Sequence, residues 1–271
     1  MKNKKYAYTG KTKRVDGIKL KQIVAIRDFG NVNKGDIGGW IKSEKNLAHT
    51  ETCWVFGNAV VYENARVYGD AQVSGTAVVH GTAQVHGTAQ VSGNAKVFGD
   101  ARVHGDAWVS GNAQVYDTAR VHGDAWVSGN AQVYGTARVH EDAWVSGNAV
   151  VSGTARVYGD ARVYGDAVVY GSALVHGTAQ VHGTAQVSGN AKVFGDAEVS
   201  GGKWETTPLQ IHGSKHVLNV CAHRRISIGC ENHTFSQWKR KYKSIGERYG
   251  YTEEEIKEYK KYIDFIISME E

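Results

Sequence analysis

The sequence predicts an all-β solenoid, a parallel β-helix carrying an N-terminal β cap and a small α+β C-terminal module, and three observations lead there. From Glu51 to Ser200 the chain reads as 25 consecutive hexads of the form [Gly/Glu/Asp]-[Asp/Asn/Thr/Ser]-Ala-x-Val-x, with Cys53 alone in an alanine place. No residue is inserted between one hexad and the next. The 33 glycines recur with that period instead of clustering as a flexible linker would, and Pro208 is the only proline.

The repeat is explicable residue by residue. Alanine and valine two apart point to the same side of a strand, and the two x residues point to the other, so one side is inside. Glycine and Asp/Asn tolerate positive φ, which lets each hexad turn a corner of about two residues. A strand of about four residues cannot bury an Ala-Val face alone; coiling the chain until each strand pairs with its equivalent one coil away does so. Written from the valine (Val91 to Ala95, Val109 to Ala113), the hexads resemble the motif of left-handed parallel β-helices, an aliphatic residue followed four later by a small one. That resemblance implies three sides and 18 residues per coil, hence about eight coils stacked ~4.8 Å apart in a rod of roughly 40 Å.

The flanks divide the chain into residues 1–50, 51–200 and 201–271. Lys5 to Phe29 alternates apolar and polar residues about Val15-Asp16-Gly17, a β-hairpin expected to cap the first coil, whose strand edges would otherwise stand open. Gly201-Gly202 marks the second boundary. Strands are expected at His216–Cys221 and Arg225–Ile228, then a helix from a cap at Thr234 to about Tyr249, and another from Thr252 with Glu255 as capping-box partner.

Asp36-Ile37-Gly38-Gly39-Trp40-Ile41-Lys42-Ser43-Glu44-Lys45-Asn46-Leu47, running into Cys53-Trp54-Val55, resembles the lead-in of hexapeptide-repeat proteins of phages and bacteria that are labelled transferases on fold alone. Ile226-Ser227-Ile228-Gly229-Cys230, Trp238 and Gly250-Tyr251-Thr252-Glu253-Glu254 resemble C-terminal modules of phage-encoded proteins. Both resemblances imply a phage or prophage setting, and neither implies a reaction. No apolar run approaches the roughly 18 residues of a membrane span, and the basic N-terminus lacks an apolar signal core. A cytoplasmic protein is expected, in the host cell if phage-encoded. Three cysteines at unrelated places fit a reducing compartment better than a disulfide framework. The net charge of +5 permits an anionic partner without demanding one.

Sorting the hexads by every third member gives three chemically different sides. One carries Trp108, Trp126 and Trp144 beside Ser110, Ser128 and Ser146; a second carries Gln114 and Gln132 with a largely aromatic column, Tyr62, His80, Phe98, Tyr116 and Tyr134. The third carries Arg66, Arg102, Arg120, Arg138 and Arg156 beside His86, His104, His122 and His140. An arginine ladder is electrostatically costly unless anions, screening or aromatic neighbours offset it, so Arg102, Arg120, Arg138 and Arg156 with His104, His122 and His140 form the candidate anion surface. The competing reading is a solvated, aggregation-resistant face. Histidine protonation near pH ~6 would strengthen an anion site. The tryptophans are either a strand-stabilising stack or a platform for sugars or bases. A duplicated block tempers any reading by side. Gly81–Ala101 recurs identically at Gly177–Ala197, 96 residues on, which is not a whole number of 18-residue coils.

Hexapeptide acyltransferases of this fold resemble the chain and imply a homotrimer with a histidine base and an acyl-thioester cleft built by inserted loops; such loops are lacking here. Cys221, His223, Cys230 and His233 are the candidate metal ligands, two sulfurs and two imidazoles as zinc takes them, against the alternative of plain buried cysteines. No cofactor is expected. The preferred class is a non-enzymatic binding or structural protein for an anionic ligand or a host protein, with nucleic acid as a secondary partner and acyl-CoA-dependent transfer as the enzymatic alternative.

Overall fold

In the computed structural model, which describes residues 4–270, the hexads coil into a parallel solenoid. Pairing fixes the coil at 18 residues: Trp108 lies beside Trp126, Gln114 beside Gln132 and Arg120 beside Arg138. The tryptophan side stacks nine strands and the arginine side eight, while the aromatic side is part of a 12-stranded sheet that takes in the N-terminal strands. Regular strand is confined to two residues per hexad, the first x and its valine. The remaining residues turn corners, yet amides at the second and sixth hexad places still reach the next coil, as with Asp100 N–H to Asp117 O (2.7 Å) and His104 N–H to Val121 O (3.0 Å), while alanine amides such as Ala101 bond back within the turn to Phe98 O (3.4 Å). The two copies of the duplicated block sit on different sides, Gln84 pairing with Arg102 and its counterpart Gln180 with Arg162.

Every hexad alanine and valine from Ala59 to Val199 is buried. Each such valine contributes about 1.5 kcal/mol or more. At the corners the first hexad residue is glycine at φ between 56 and 72°, and a Cβ on Gly105 would sit 2.9 Å from the Gly123 nitrogen in the next coil. Gly105→Ala is therefore expected to destabilise the protein by about 1–2 kcal/mol, read as a lower thermal midpoint. Glu63, Asp117 and Glu141 occupy this left-handed position with side chains. Each carboxylate accepts the glycine N–H one coil on, at Gly81 (2.7 Å), Gly135 (3.1 Å) and Gly159 (2.8 Å), which offsets the strain.

At the front, strands Tyr6–Val15 and Ile18–Ala25 form the hairpin about Asp16-Gly17, both at positive φ (48 and 76°) as a type I′ turn requires. The strand Ile37–Ile41 joins this hairpin to Val60–Val61 of the rod, so the cap continues the aromatic side's sheet. Lys5 plugs the opening. It is fully buried, and its ammonium donates to the carbonyls of Thr50 (3.2 Å), Glu51 (3.1 Å) and Cys53 (2.8 Å), with Cys53 Sγ at 3.2 Å.

Behind the rod, strands Gln210–His212, Val217–Ala222, Arg225–Ile228 and Glu231–Thr234 form an antiparallel sheet packed by helices α1 (Phe235–Arg248) and α2 (Glu253–Glu270). Leu218, Ile226, Trp238, Ile263 and Ile266 fill the space between. The first and last of these strands lie outside the sequence expectations, because Gln210–His212 is too short to show a period, with Ile211 its one apolar residue, and Glu231–Thr234 has no apolar residue at all. Both helix caps form as expected, Thr234 with Gln237 and Thr252 with Glu255. The sheet is tied to the last coil by Ser200 N–H to Cys221 O (2.9 Å) and Asn219 Nδ2 to Glu198 O (2.7 Å). Among the described residues no helix is long and apolar enough to cross a membrane.

Candidate functional site

The solenoid brings the predicted residues into columns. On the arginine side Arg102, Arg120, Arg138 and Arg156 pair in register, with Gln84 separating them from Arg66. All four side chains are exposed, and among the described residues none has a carboxylate within 4 Å. Neighbouring unit charges ~4.8 Å apart in water repel by about 1 kcal/mol, less where salt screens them.

Beside them runs an unbroken stack of eight rings, from Tyr68 and His86 through His104, His122 and His140 to Tyr158, His176 and Phe194. Spacings within the histidine run are 4.9 Å and the planes lie within 5°. Burial in this stack, reinforced by His86, His122, Arg120 and Arg102, pushes His104 down to about 4. Burial also lowers His86, His122, His140 and His176. The expectation that these rings charge near pH 6 is thereby corrected, because stacking removes water from each face and adjacent cations disfavour a further proton. A base whose folded pKa lies below its unfolded one takes up protons preferentially when unfolded. The contribution is thus intact above pH ~6.5 and is lost as pH falls toward 4. NMR titration should place His104 near 4, with the thermal midpoint falling over that window.

The tryptophan column stacks likewise, Trp108 on Trp126 at 5.0 Å and Trp126 on Trp144 at 5.2 Å, with the Arg162 guanidinium 5.7 Å from the Trp144 ring. Facing rings cover one another, so the column offers solvent its edges, and the Trp126 indole N–H donates to Ser110 Oγ (3.5 Å). The platform reading for sugars or bases needs free ring faces, and this geometry does not supply them along the column.

The corners differ too. Between the tryptophan and aromatic sides an amide ladder runs Asn94, Asn112, Asn130, Asn148 to Asp166, with bonds of 3.0, 3.0, 2.9 and 2.8 Å. Between the aromatic and arginine sides, Thr118, Thr136 and Thr154 donate to carbonyls one coil on at 2.9 to 3.0 Å. The third corner, between the arginine and tryptophan sides, stacks Asp106, Asp124, Asp142 and Asp160, a column that sequence sorting by side had passed over.

The four candidate zinc ligands do not converge. Among the described residues no three His, Cys, Asp or Glu side chains are placed to share an ion. Cys221 is buried, and burial pushes its thiol up to about 11; the His233 ring sits edge-on to Trp238. Their placement explains the failure, since Cys221 is buried within the strand Val217–Ala222 whereas Cys230 is exposed in the turn between Arg225–Ile228 and Glu231–Thr234. Around Cys230 the structure assembles a different group. Tyr249 donates to Glu231 (2.8 Å) and accepts from the Cys230 thiol (3.6 Å), and the Tyr249 bond, with His233 and Arg248 beside it, holds Glu231 below the usual carboxylate range. Cys230, Glu231 and Tyr249 rim an apolar gap of about 500 Å³, counted with its open mouth, floored by Trp238, Ile245, Ile256 and Ile263.

The YdcK Beta solenoid repeat family matches residues 65–81, 89–105, 155–171 and 161–177. A stretch of 44 residues is 46% identical to the Uncharacterized acetyltransferase YdcK of Escherichia coli (strain K12), covering 16% of this chain and 14% of that protein's length. All four family segments fall on the coiled hexads, so similarity and geometry agree on a β-helix repeat protein.

Proposed function

We propose that this is a non-enzymatic binding protein whose rigid rod presents its arginine side to an anionic partner. The observation that carries the reading is the run of four in-register guanidinium groups with, among the described residues, no carboxylate within 4 Å. Backbone-fixed spacing means that a partner meets several charges without ordering them first, which is where multivalent electrostatic contact gains its affinity. The partner is an anionic ligand or, in the phage setting that the lead-in segment resembles, a host protein, as an antagonist of host defence would require. The test is titration with synthetic poly-glutamate. Changing Arg102, Arg120 and Arg138 together to glutamine leaves the Ala-Val interior untouched and should weaken binding at least tenfold while flattening its salt dependence. Unchanged binding would leave the side a solvated surface.

A second reading, acyl transfer from acyl-CoA, is favoured by the acetyltransferase name of the similar E. coli protein. Among the described histidines of the coils, the two nearest to the carboxylate that a base needs are His182, with Glu198 at 2.8 Å, and His140, with Glu141 at 3.4 Å, ahead of His80 with Glu63 at 3.6 Å; the sequence had shown none of these pairs. The coils carry no inserted loop to build an acyl cleft beside either. Turnover of acetyl-CoA that disappears in His182→Asn or His140→Asn would establish this reading over the first.

A further inference from the structure

The arginine ladder is matched by a ladder of the opposite sign on the same coils. Each arginine from Arg102 to Arg156 is followed four residues later by an aspartate, Asp106, Asp124, Asp142 and Asp160, at the next corner. Between the two stand His104, His122, His140 and, on the fourth coil, Tyr158, and among the described residues no ion pair joins the ladders. Cation and aspartate with this spacing also occur singly on other sides, as Lys96 with Asp100 and Arg162 with Asp166. There the carboxylates take hydrogen bonds from the coil before, from Thr82 and from Asn148. Only on the arginine side does the pair repeat over adjacent coils, so that both members become uninterrupted columns. Asp124, Asp142 and Asp160 receive no hydrogen bond among the described residues. Each column is repulsive along its own length, and each would be relieved by the other.

We propose that the partner of the arginine side is a second copy of this chain, docked side by side and parallel about a two-fold axis along the rod. The inference rests on the reading of that side as an anion-binding surface and names its occupant. Column order decides the arrangement. Across the side the columns run arginine, histidine, aspartate, from the threonine corner to the aspartate corner. A half-turn about an axis along the rod reverses that order in the partner without changing height. Every arginine then faces the partner's histidine and aspartate columns at its own level, and the partner's arginines do the same in return. A half-turn across the rod would instead set arginine on arginine.

Three features suit this docking. The strand spacing is the same in both copies, so complementarity holds over all four coils without slippage. The opposing histidines are depressed in pKa and neutral at pH 7, so they offer ring edges to the incoming guanidinium groups and add no repulsion. The side is flat and uninterrupted by loops. Eight strands at ~4.8 Å by roughly 15 Å of width give about 1,000 Å² buried in total, at the low end for specific association, so a dimer that weakens with salt is expected.

The experiment is mass measurement of the full chain by light scattering from 50 to 500 mM salt, for the wild type, Arg102/Arg120/Arg138→Gln, Asp106/Asp124/Asp142→Asn, and two charge-reversed chains. In one of the reversed chains those arginines become aspartate; in the other those aspartates become arginine. Expected are a wild-type dimer that dissociates as salt rises, at least tenfold weaker association in each neutralised variant, and recovery of a dimer only when the two reversed chains are mixed. A wild type that is monomeric or trimeric at low salt overturns the proposal. So does a dimer indifferent to the aspartate changes, which would mean that the aspartates only balance charge within each coil. If poly-glutamate binding is lost in the arginine variant while the chain is monomeric throughout, the anion-surface reading stands and the second copy is excluded. If both poly-glutamate binding and dimer survive that variant, the anion-surface reading itself has failed.

Discussion

Deleting the six residues Gly123–Ser128 is expected to weaken poly-glutamate binding about tenfold, whereas deleting the eighteen residues Gly123–His140 changes it by less than about threefold. The shorter deletion removes no arginine and the longer one removes Arg138, so composition alone predicts the reverse order. Register explains the difference. Eighteen residues are one coil, and their loss returns every later residue to its own column, leaving Arg102, Arg120 and Arg156 adjacent. Six residues are one side. Their loss moves Arg138 and Arg156 onto the aromatic side and brings Trp144 and Arg162 beneath Arg120, so the ladder of four becomes two pairs on different sides. The inward alanines and valines stay inward in both deletions, and stability in a stacked array is close to a sum over neighbouring coils. Both proteins should therefore fold, with far-ultraviolet circular dichroism scaled to length and midpoints lowered by only a few degrees. Affinity in the shorter deletion equal to or tighter than in the longer one would mean that register does not govern binding and that the columns are not the site.

This contrast also marks what the sequence makes legible. The hexad states which residues face inward and which share a column, because period six and period eighteen follow from strand and corner geometry alone; Arg102, His104 and Trp108 sit in the columns that the register assigns. What the columns do to one another is less visible. A histidine read singly is a group that titrates near neutrality, and only stacking at 4.9 Å on both faces depresses it. A tryptophan ladder read singly offers faces, and stacking hides them. The aspartate column escaped notice because its members occupy the second hexad place, where Asp, Asn, Thr and Ser all serve as corner residues and no single one signals a site. The C-terminal module has no repeat to enforce register, and spacing alone placed Cys221 and Cys230 near one ion when the sheet holds one buried and the other exposed.

Lys5 is the extreme case of a residue that sequence could not assign, and Lys5→Met is expected to cost about 3 kcal/mol. In the sequence it is one of several lysines in a basic N-terminal stretch. In the structure it is fully buried at the open end of the rod, donating to the carbonyls of Thr50, Glu51 and Cys53, where the first coil has no coil before it to bond. Methionine is an unbranched chain one atom shorter and supplies no donor. The buried Cys53 carbonyl and the partly buried carbonyls of Thr50 and Glu51 would then lose their donor at once, and leaving a buried acceptor unpaired costs more than the bond contributes. The damage should be local first. Because a solenoid unravels from its ends, Trp54, now 1% exposed beneath the cap, should report earliest through red-shifted emission, and the amides of Trp54 and Val55 should exchange faster than those of Val127 or Val145 in the middle of the rod. Lys4→Met is the control, since that ammonium reaches only the exposed Glu44 carboxylate and its loss should cost no more than about 0.5 kcal/mol. If Lys5→Met instead melts with the wild type and leaves the exchange of Trp54 and Val55 unchanged, the first coil is closed by the hairpin alone, and the buried ammonium is a passenger.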